Sequence, residues 1–163
     1  EWFVGRQHRD EVDGVRFEGA EDARPAPGVL EALAEADLIA IAPSNPFVSI
    51  GPILAIPGMR EALLASPALR IGISGIVARR ALRGPADRML PSLGHESSAL
   101  GVARLYEGLV TRFVIDEQDA ALAPQIEALG MGVSVLPTVM QDDDDRASLA
   151  GALLQLGEGM LRG

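Results

Sequence analysis

The chain has 163 residues, of which 48% are hydrophobic, so it is long enough to bury one core and predicts a single domain. Its formal net charge of -9 argues against a nucleic-acid partner, because phosphate backbones need a basic face. No apolar run approaches the length of a membrane-spanning helix, and the absence of cysteine excludes disulfides. We therefore expect a cytoplasmic protein that acts neither on nucleic acid nor at a membrane.

The apolar residues follow two patterns along the chain, short continuous runs and helical spacing. Four short runs predict buried strands, at residues 38–42, 69–73, 113–115 and 132–136. Helical patterns lie before, between and after them, at residues 28–36, 59–65, 99–106, 120–129 and 146–156. Strands that alternate with helices pair in parallel through right-handed crossovers. The expected fold class is therefore α/β, a Rossmann-like three-layer α/β/α sandwich with a mainly parallel sheet.

Single residues predict one extra strand and several helix starts. The alternation at Val15–Phe17 predicts a short strand. Pro85 suits the first turn of a helix, in which Asp87 would lie at the favourable end of the helix dipole. Ser97 is the expected N-cap of the helix at 99–106, and Asp119 is the expected N-cap of the next helix.

The acidic run Asp142–Asp145 has the composition of a metal site, but four adjacent carboxylates on a helix point in different directions. A solvated helix start, where acidic side chains complement the dipole, is the preferred interpretation. Asp116 and Glu117 follow a predicted strand, where both a functional role and the capping of the next helix stay open.

The segment after the first predicted strand concentrates small polar side chains at a strand's carboxyl end. Ser44, Asn45 and Pro46 come first, and Ser49 and Gly51 follow. Ligands of open α/β sheets bind at such strand ends. Two interpretations stay open: a tight turn in which Ser44 and Asn45 bond the local backbone, or a ligand site.

Two further features favour the ligand site. The stretch Ser49–Gly51 can begin a short helix, whose free N–H groups suit an anion. Ser74 ends the second predicted strand in the same way, and the turn from Gly84 to Asp87 can close on the crevice from the side.

A set of motifs in collinear order resembles one known family. The motifs are Ala42-Pro43-Ser44-Asn45-Pro46, Val48-Ser49-Ile50-Gly51-Pro52-Ile53-Leu54, Pro57-Gly58, Gly84-Pro85-Ala86-Asp87 and Val114-Ile115-Asp116, with Trp2-Phe3-Val4 and Gly19-Ala20-Glu21 before them. Together they resemble the 2-phospho-L-lactate transferase family of coenzyme F420 biosynthesis. The Pro-Ser-Asn-Pro…Ser-Ile-Gly-Pro block is the specific part, and the likeness covers nearly the whole chain.

The resemblance implies a reaction and its partners. The family transfers a phospholactyl or phosphoenolpyruvyl group from a guanosine diphosphate-linked donor to the deazaflavin Fo. The terminal ribityl hydroxyl of Fo attacks the distal phosphorus, GMP leaves, and F420-0 or its dehydro form results. Mg2+ offsets charge on the diphosphate, and a homodimer is expected. Such chemistry depends on positioning and electrostatics more than on covalent help.

The resemblance also implies a set of substrate-binding residues. They are Ser44, Asn45, Pro46, Ser49, Ile50, Gly51, Ser74, Gly84 and Asp87. Ile50 and Gly51 would hold donor phosphate or acceptor hydroxyls through their amides. Gly84 and Asp87 would form part of the opposite wall.

The chain departs from the family pattern at several points. The Gly-rich phosphate turn and the acidic metal ligand of the family are expected upstream of Glu1, so we expect a C-terminal part that is inactive alone. Ser74-Gly75-Ile76 and Ala78-Arg79 stand where the family tends to have Ser-Pro-Ile and a paired glycine. Arg83 stands where a Lys is common, which keeps the charge but presents a planar fork.

Two other classes stay open beside the transferase. A related family of gluconeogenesis regulators uses the same fold to hold a sugar nucleotide without catalysis, and a scaffold half without ligand is the third interpretation. The stretch Ser44-Asn45-Pro46 favours the transferase, because the regulators tend to have a glycine-serine-leucine-tyrosine turn there. The sequence leaves the acid of the donor (lactate, enolpyruvate or glycerate) undetermined.

Overall fold

The computed structural model describes residues 12–161, and the motif Trp2-Phe3-Val4 lies outside that range. The strands are β1 (Leu38–Ile41), β2 (Leu69–Ile73), β3 (Ile76–Val77), β4 (Arg80–Ala81), β5 (Arg112–Asp116) and β6 (Gly132–Leu136). The α-helices are α1 (Val29–Glu35), α2 (Gly51–Ala55), α3 (Met59–Ala65), α4 (Ala86–Ser92), α5 (Ala99–Leu105), α6 (Ala123–Glu127) and α7 (Asp143–Leu161). A π-helical turn at Pro46–Ile50 leads into α2, and a 3-10 helix at Glu117–Leu122 leads into α6.

The central sheet is parallel, with the strand order β1-β2-β5-β6, while β3 and β4 form a separate antiparallel hairpin. The α/β fold and its four main strands are thus confirmed. Along the chain, each new strand of the sheet is placed on the same side of the strand before it. Because the crossovers are right-handed and all run in that direction, their helices lie on one face of the sheet. The chain reverses after β6, so that α7 covers the other face.

Alternate residues of the strands supply two hydrophobic clusters, one on each face of the sheet. Phe113 and Ile115 of β5 belong to the larger cluster, which includes side chains from α1 and from α3 to α6. Val114, between them, belongs to the smaller cluster, where it meets Leu153 and Leu156 of α7. This period of two is what a strand buried on both faces requires.

No single helix among the described residues has both the length and the apolar composition to cross a membrane. One pair of segments, Pro46–Ala55 and Met59–Ala65, bent by 89° between them, meets those two criteria jointly.

The strand expected at Val15–Phe17 is wrong, since this segment forms no strand in the structure. The ring of Phe17 packs over Gly51 instead, so closely that a Cβ at Gly51 would lie 2.8 Å from the Cζ atom of Phe17. Three alternating residues are too few to identify a strand, because pairing depends on an edge elsewhere in the fold.

The hairpin β3–β4 had no signal in the sequence. Its two turn residues, Ala78 and Arg79, have φ of 47° and 66°, a region where two-residue hairpins prefer Asn and Gly. Other side chains hold this turn. Asp119 accepts the Ala78 N–H at 3.0 Å, Glu96 pairs with Arg79 at 3.0 Å, and Ser97 donates to the Arg79 carbonyl at 3.1 Å.

Two predicted N-caps are wrong for a shared reason. Ser98 caps α5 in place of Ser97, and Asp116 caps the 3-10 helix before α6 in place of Asp119. The side chains of Ser97 and Asp119 are bonded to the hairpin turn, which lies far from both in sequence. N-caps are usually predicted from local sequence, but the side chains of Ser97 and Asp119 form hydrogen bonds with a partner distant in sequence.

Candidate functional site at the carboxyl edge of the sheet

A cleft of about 250 Å³ lies where three of the four parallel strands end. Its lining residues are Pro43, Ser44 and Asn45 after β1, Ser74 and Gly75 after β2, Leu82, Arg83 and Ala86 after the hairpin, and Thr138, Met140 and Arg146 after β6. The carboxyl ends of parallel strands are where open α/β sheets bind ligands. This cleft is therefore the candidate site.

Ser74 and Thr138 line the bottom of the cleft, and Asp116 lies beneath them, bonded to Thr138 but outside the lining. These three residues, all buried at strand ends, are called the floor below. The Ser74 hydroxyl donates to the carbonyl of Ile76 at 2.7 Å and accepts the Ile76 N–H at 3.2 Å. These two bonds make the sharp exit from β2. Because they use the hydroxyl both as donor and as acceptor, Ser74 shapes the floor.

Asp116 ties the ends of β5 and β6 together beneath the cleft. Its carboxylate accepts the N–H and the hydroxyl of Thr138 at 2.9 and 3.1 Å, and the N–H and side-chain amide of Gln118 at 3.1 Å each. Burial raises the pKa of Asp116, but these hydrogen bonds outweigh burial and hold that pKa below its ordinary value. Asp116 thus stays ionised and fixes Thr138.

Asp119 supports the wall of the cleft that follows the hairpin β3–β4. Burial raises the pKa of Asp119, and the charge of Asp116 adds to this, while the hydrogen bond from Ala78 opposes it. The net pKa lies above the ordinary value. Because its carboxylate holds the hairpin turn, Asp119 helps to set where the chain leaves β4 towards Leu82 and Arg83.

The loops after β1 and β2 touch at the cleft. A Cβ on Gly75 would lie 3.1 Å from the carbonyl oxygen of Ser44, so a side chain at this position would push the loops apart. The Ser44 hydroxyl has no hydrogen-bond partner within residues 12–161. Ser44 therefore offers the cleft a hydroxyl that the described fold does not use.

Asn45 also lines the cleft, but its side chain is bonded to the local turn. Its Oδ1 atom accepts the N–H groups of Phe47 and Val48 at 2.9 and 3.3 Å, and its Nδ2 atom lies 3.3 Å from the sulfur of Met89. The structure thus supports the local-turn interpretation for Asn45, and a substrate contact of Asn45 stays a prediction.

The second half of the polar turn lies away from the cleft. Pro46, Ser49, Ile50 and Gly51 are absent from its lining, and Ser49 is exposed. The expectation that the amides of Ile50 and Gly51 are free for an anion is wrong. The Ile50 N–H donates to the carbonyl of Asn45, and the Gly51 N–H donates to that of Pro46, because the π-helical turn begins earlier than predicted.

The wall predicted at Gly84 and Asp87 lies at the right place in the chain but uses other residues. Arg83 and Ala86 line the cleft, whereas Gly84, with φ of 72°, makes the turn between them. Asp87 lies in the first turn of α4, as expected, with Pro85 as its N-cap residue. Substrate contacts of Gly84 and Asp87 stay predictions.

Thr138 and Arg146 line the cleft although neither was among the predicted site residues. Thr138 follows β6, so the strand-end rule applied to the fourth strand would have found it. Arg146 had no comparable signal, because it follows an acidic run that reads as a helix start. Asp142 does cap that start, accepting the N–H of Asp145 at 2.9 Å.

The described residues do not fit a metal site. Within residues 12–161 no three side chains of His, Cys, Asp or Glu lie close enough together to hold an ion. The cleft lining contains no carboxylate either. The charged groups that line it are Arg83 and Arg146.

A parallel sheet with a polar cleft at its carboxyl edge is the architecture of the ligand-binding α/β proteins, and the two arginines in the lining suit an anion. Comparison with known proteins gives the family. The family model described as 2-phospho-L-lactate transferase CofD matches residues 1–139, and the chain belongs to that family of transferases.

Two relatives and one solved structure illustrate the likeness. The chain is 43% identical to a phosphoenolpyruvate transferase of Streptomyces griseus, over 97% of the chain and 50% of the relative. It is 36% identical to a 2-phospho-L-lactate transferase of Methanosarcina mazei, over 95% of the chain and 50% of the relative. A crystal structure of a Bacillus halodurans protein superposes with a TM-score of 0.53 at 21% identity, covering 82% of the chain and 48% of that structure. The chain thus spans about half the length of these relatives.

Proposed function

We propose that this chain forms part of a transferase that moves a phospholactyl or phosphoenolpyruvyl group from a guanosine diphosphate-linked donor to the deazaflavin Fo, in coenzyme F420 biosynthesis. In this reaction a ribityl hydroxyl oxygen of Fo bonds to the distal phosphorus and loses its proton. The bond from that phosphorus to the bridging oxygen breaks, and the oxygen leaves with GMP. The products are F420-0 or its dehydro form, and GMP.

One observation supports this proposal above the others: among residues 12–161, two arginines and no acid line the cleft, in a chain of net charge -9. A site without carboxylates does not repel a diphosphate, and guanidinium groups bind phosphate with paired hydrogen bonds. Membership of the transferase family supplies the reaction class.

The residues of this chain act by binding and positioning. Ser44, after β1, presents its hydroxyl to the cleft, and Arg83 and Arg146 also line it. In the proposed reaction the two guanidinium groups stabilise the charge that develops on the transferring group. Since no acid lines the cleft within the described residues, we assign no general base to this chain. The floor is held by hydrogen bonds from Ser74 to the carbonyl of Ile76 and from Thr138 to Asp116, so it keeps its shape beneath the ligand.

A requirement for Mg2+ stays a prediction from the resemblance. The described residues offer no cluster that fits the ion, so no step of the mechanism is routed through it. A homodimer and a cytoplasmic location are likewise proposals, which size-exclusion chromatography with light scattering and cell fractionation would test.

The test is an assay of Fo-dependent GMP release, run with the full-length protein that contains this chain and with the chain alone. We expect turnover by the full-length protein and none by the chain alone. Ser44→Ala should lower kcat/KM about tenfold to a hundredfold, the range for a hydrogen bond to a charged group. Ser92→Ala is the matched control, because Ser92 is at the end of α4 and its hydroxyl donates to the carbonyl of Arg88.

Each result separates the three classes. Equal losses for Ser44→Ala and Ser92→Ala would contradict a role for the cleft. Tight binding of a uridine-linked sugar without GMP release would support the regulator class. A full-length protein that neither alters Fo fluorescence nor binds a sugar nucleotide would be the scaffold.

A further inference from the structure

The charges around the cleft are segregated in a way that composition does not explain. The chain carries 23 acidic and 14 basic residues, yet the two charged side chains that the described part of the chain brings to the cleft lining are both arginines. They come from different elements. Arg83 follows the hairpin strand β4, and Arg146 lies in the first turn of α7, far from Arg83 along the sequence.

Arg83 is an exposed side chain with no hydrogen bond or ion pair to another described residue. Gly84 after it turns the chain with φ of 72°, and Ala86 beyond the turn lines the cleft again. The backbone on both sides of the Arg83–Gly84 turn is therefore held against the cleft. Its guanidinium keeps all five donors available for a ligand.

Arg146 has an internal partner, and that partner is weakly held. Its Nη1 atom pairs with Asp143 one helical turn away, and the Asp143 side chain is 94% exposed. The neighbouring acids are engaged otherwise, because Asp142 accepts the N–H of Asp145 and Asp145 accepts the N–H of Gln141. An exposed pair of this kind contributes about 0–1 kcal/mol, so a ligand phosphate can displace Asp143.

We propose that Arg83 and Arg146 form a two-sided clamp for a ligand with two linked anionic groups, one group to each arginine, and that Asp143 occupies Arg146 until the ligand displaces it. Arg146 is then a specificity-determining residue, since a ligand with one anionic group engages one side only. It lies beyond residue 139, where the family match ends. The clamp rests on the proposed function only for the identity of the natural ligand, the diphosphate of the donor.

The direct test is calorimetric titration of the full-length protein with inorganic pyrophosphate and, separately, with orthophosphate, at about 150 mM salt so that distant charges are screened. Wild type should bind pyrophosphate at least about tenfold more tightly than orthophosphate. Arg83→Ala and Arg146→Ala should each weaken pyrophosphate binding about tenfold or more, and orthophosphate binding much less. Arg146→Lys should fall between, because it keeps the charge but loses the fork.

The matched control is Arg16→Ala, since Arg16 is an exposed arginine paired with a nearby acid, Glu18, and does not line the cleft. It should leave pyrophosphate binding within twofold of wild type, a margin set by the ±0.5 kcal/mol usual for surface changes. Asp143→Asn should tighten binding by up to about fivefold, because it removes the competing partner. Circular dichroism and the melting temperature of each variant show whether it is folded.

Several results would overturn the clamp. They are the absence of pyrophosphate binding by wild type, an Arg146→Ala variant that binds like wild type, an Arg16→Ala variant that weakens as much, or equal losses for orthophosphate. The experiments distinguish a failure of the clamp from a failure of the proposed function. Pyrophosphate binding with these dependences but without Fo-dependent GMP release keeps the clamp and removes the transferase, whereas GMP release that is insensitive to Arg146 does the reverse.

Discussion

The cleft floor and the cleft rim are built on opposite principles. The floor (Ser74, Asp116 and Thr138) is buried and hydrogen-bonded, Asp116 to Thr138 across two strand ends and Ser74 to the backbone of Ile76. The rim is defined as the lining residues Arg83 and Arg146 together with the hairpin turn Ala78–Arg79 and its partner Ser97. It is exposed apart from the half-buried Ser97, and its turn is conformationally costly. The floor therefore sets the shape of the site, while the rim supplies the charge that a ligand meets. We therefore expect changes in the floor to lower mainly the stability of the fold, and changes at Arg83 and Arg146 to lower mainly ligand binding.

The largest effect is expected from breaking the floor with Asp116→Ala. This change leaves four donors of Gln118 and Thr138 without their acceptor, and the two donors of Thr138 are buried, where a missing partner is costly. We expect a loss of about 3 kcal/mol in the free energy of unfolding, measured by urea denaturation. Glu117→Ala is the control, because Glu117 is adjacent and exposed. Similar losses for both variants would contradict the role of the floor.

Two adjacent serines sharpen the comparison, since Ser98 belongs to the buried body and Ser97 to the rim. Ser98 is the N-cap of α5 and accepts the N–H of Gly101 at 3.1 Å. Ser98→Ala should cost about 1 kcal/mol of stability, the usual value for an N-cap. Ser97→Ala should cost less, because its hydroxyl is exposed and donates to the carbonyl of Arg79. Thermal melts of the two variants decide, and the reverse order would restore Ser97 as the cap.

The rim also allows a stabilising change, Ala78→Gly. Ala78 has φ of 47°, which costs an L-residue roughly 1–2 kcal/mol, partly offset by the extra freedom of glycine when unfolded. We expect a gain of about 0.5–1 kcal/mol in the free energy of unfolding. Ala81→Gly in β4 is the control and should destabilise by a similar amount, because glycine is unfavourable within a strand. A loss for Ala78→Gly would mean that the turn is not strained.

The smallest change expected is one of pH dependence, and it has opposite signs at Asp116 and Asp119. The folded pKa of Asp116 lies below its ordinary value of 3.8, so its carboxylate stabilises the fold above pH 3.8 and this is lost as the pH falls through the folded pKa. The folded pKa of Asp119 is raised, so its ionisation opposes folding as the pH rises through 3.8 towards that value.

Replacement of Asp119 by Asn tests the second sign, since Asn can still accept the N–H of Ala78. The stability of Asp119→Asn relative to wild type should be greatest near neutral pH and should shrink on acidification. Urea denaturation over a pH series measures this difference. A difference that grows as the pH falls would reverse the assignment.

Much of the fold was predictable because its signals are local. The four strands of the sheet are continuous apolar runs, and the parallel pairing follows from their alternation with helices. The strand-end rule also located Ser44 and Ser74, which line the cleft. The family motifs gave the reaction class, since membership depends on sequence likeness along most of the chain.

The rest was decided by partners distant in sequence. The hairpin turn at Ala78 is stabilised by Asp119, which accepts the Ala78 N–H, and by Glu96, which pairs with Arg79. The turn contains no Asn or Gly from which it could have been predicted. Arg146 reaches the cleft because α7 begins at the edge where β6 ends, before it crosses the opposite face. The sequence by itself determined which segments form strands, helices and polar turns, because backbone preference and burial pattern act locally. Only the tertiary structure decided which side chains meet, because hydrogen bonds and ion pairs depend on distance in space.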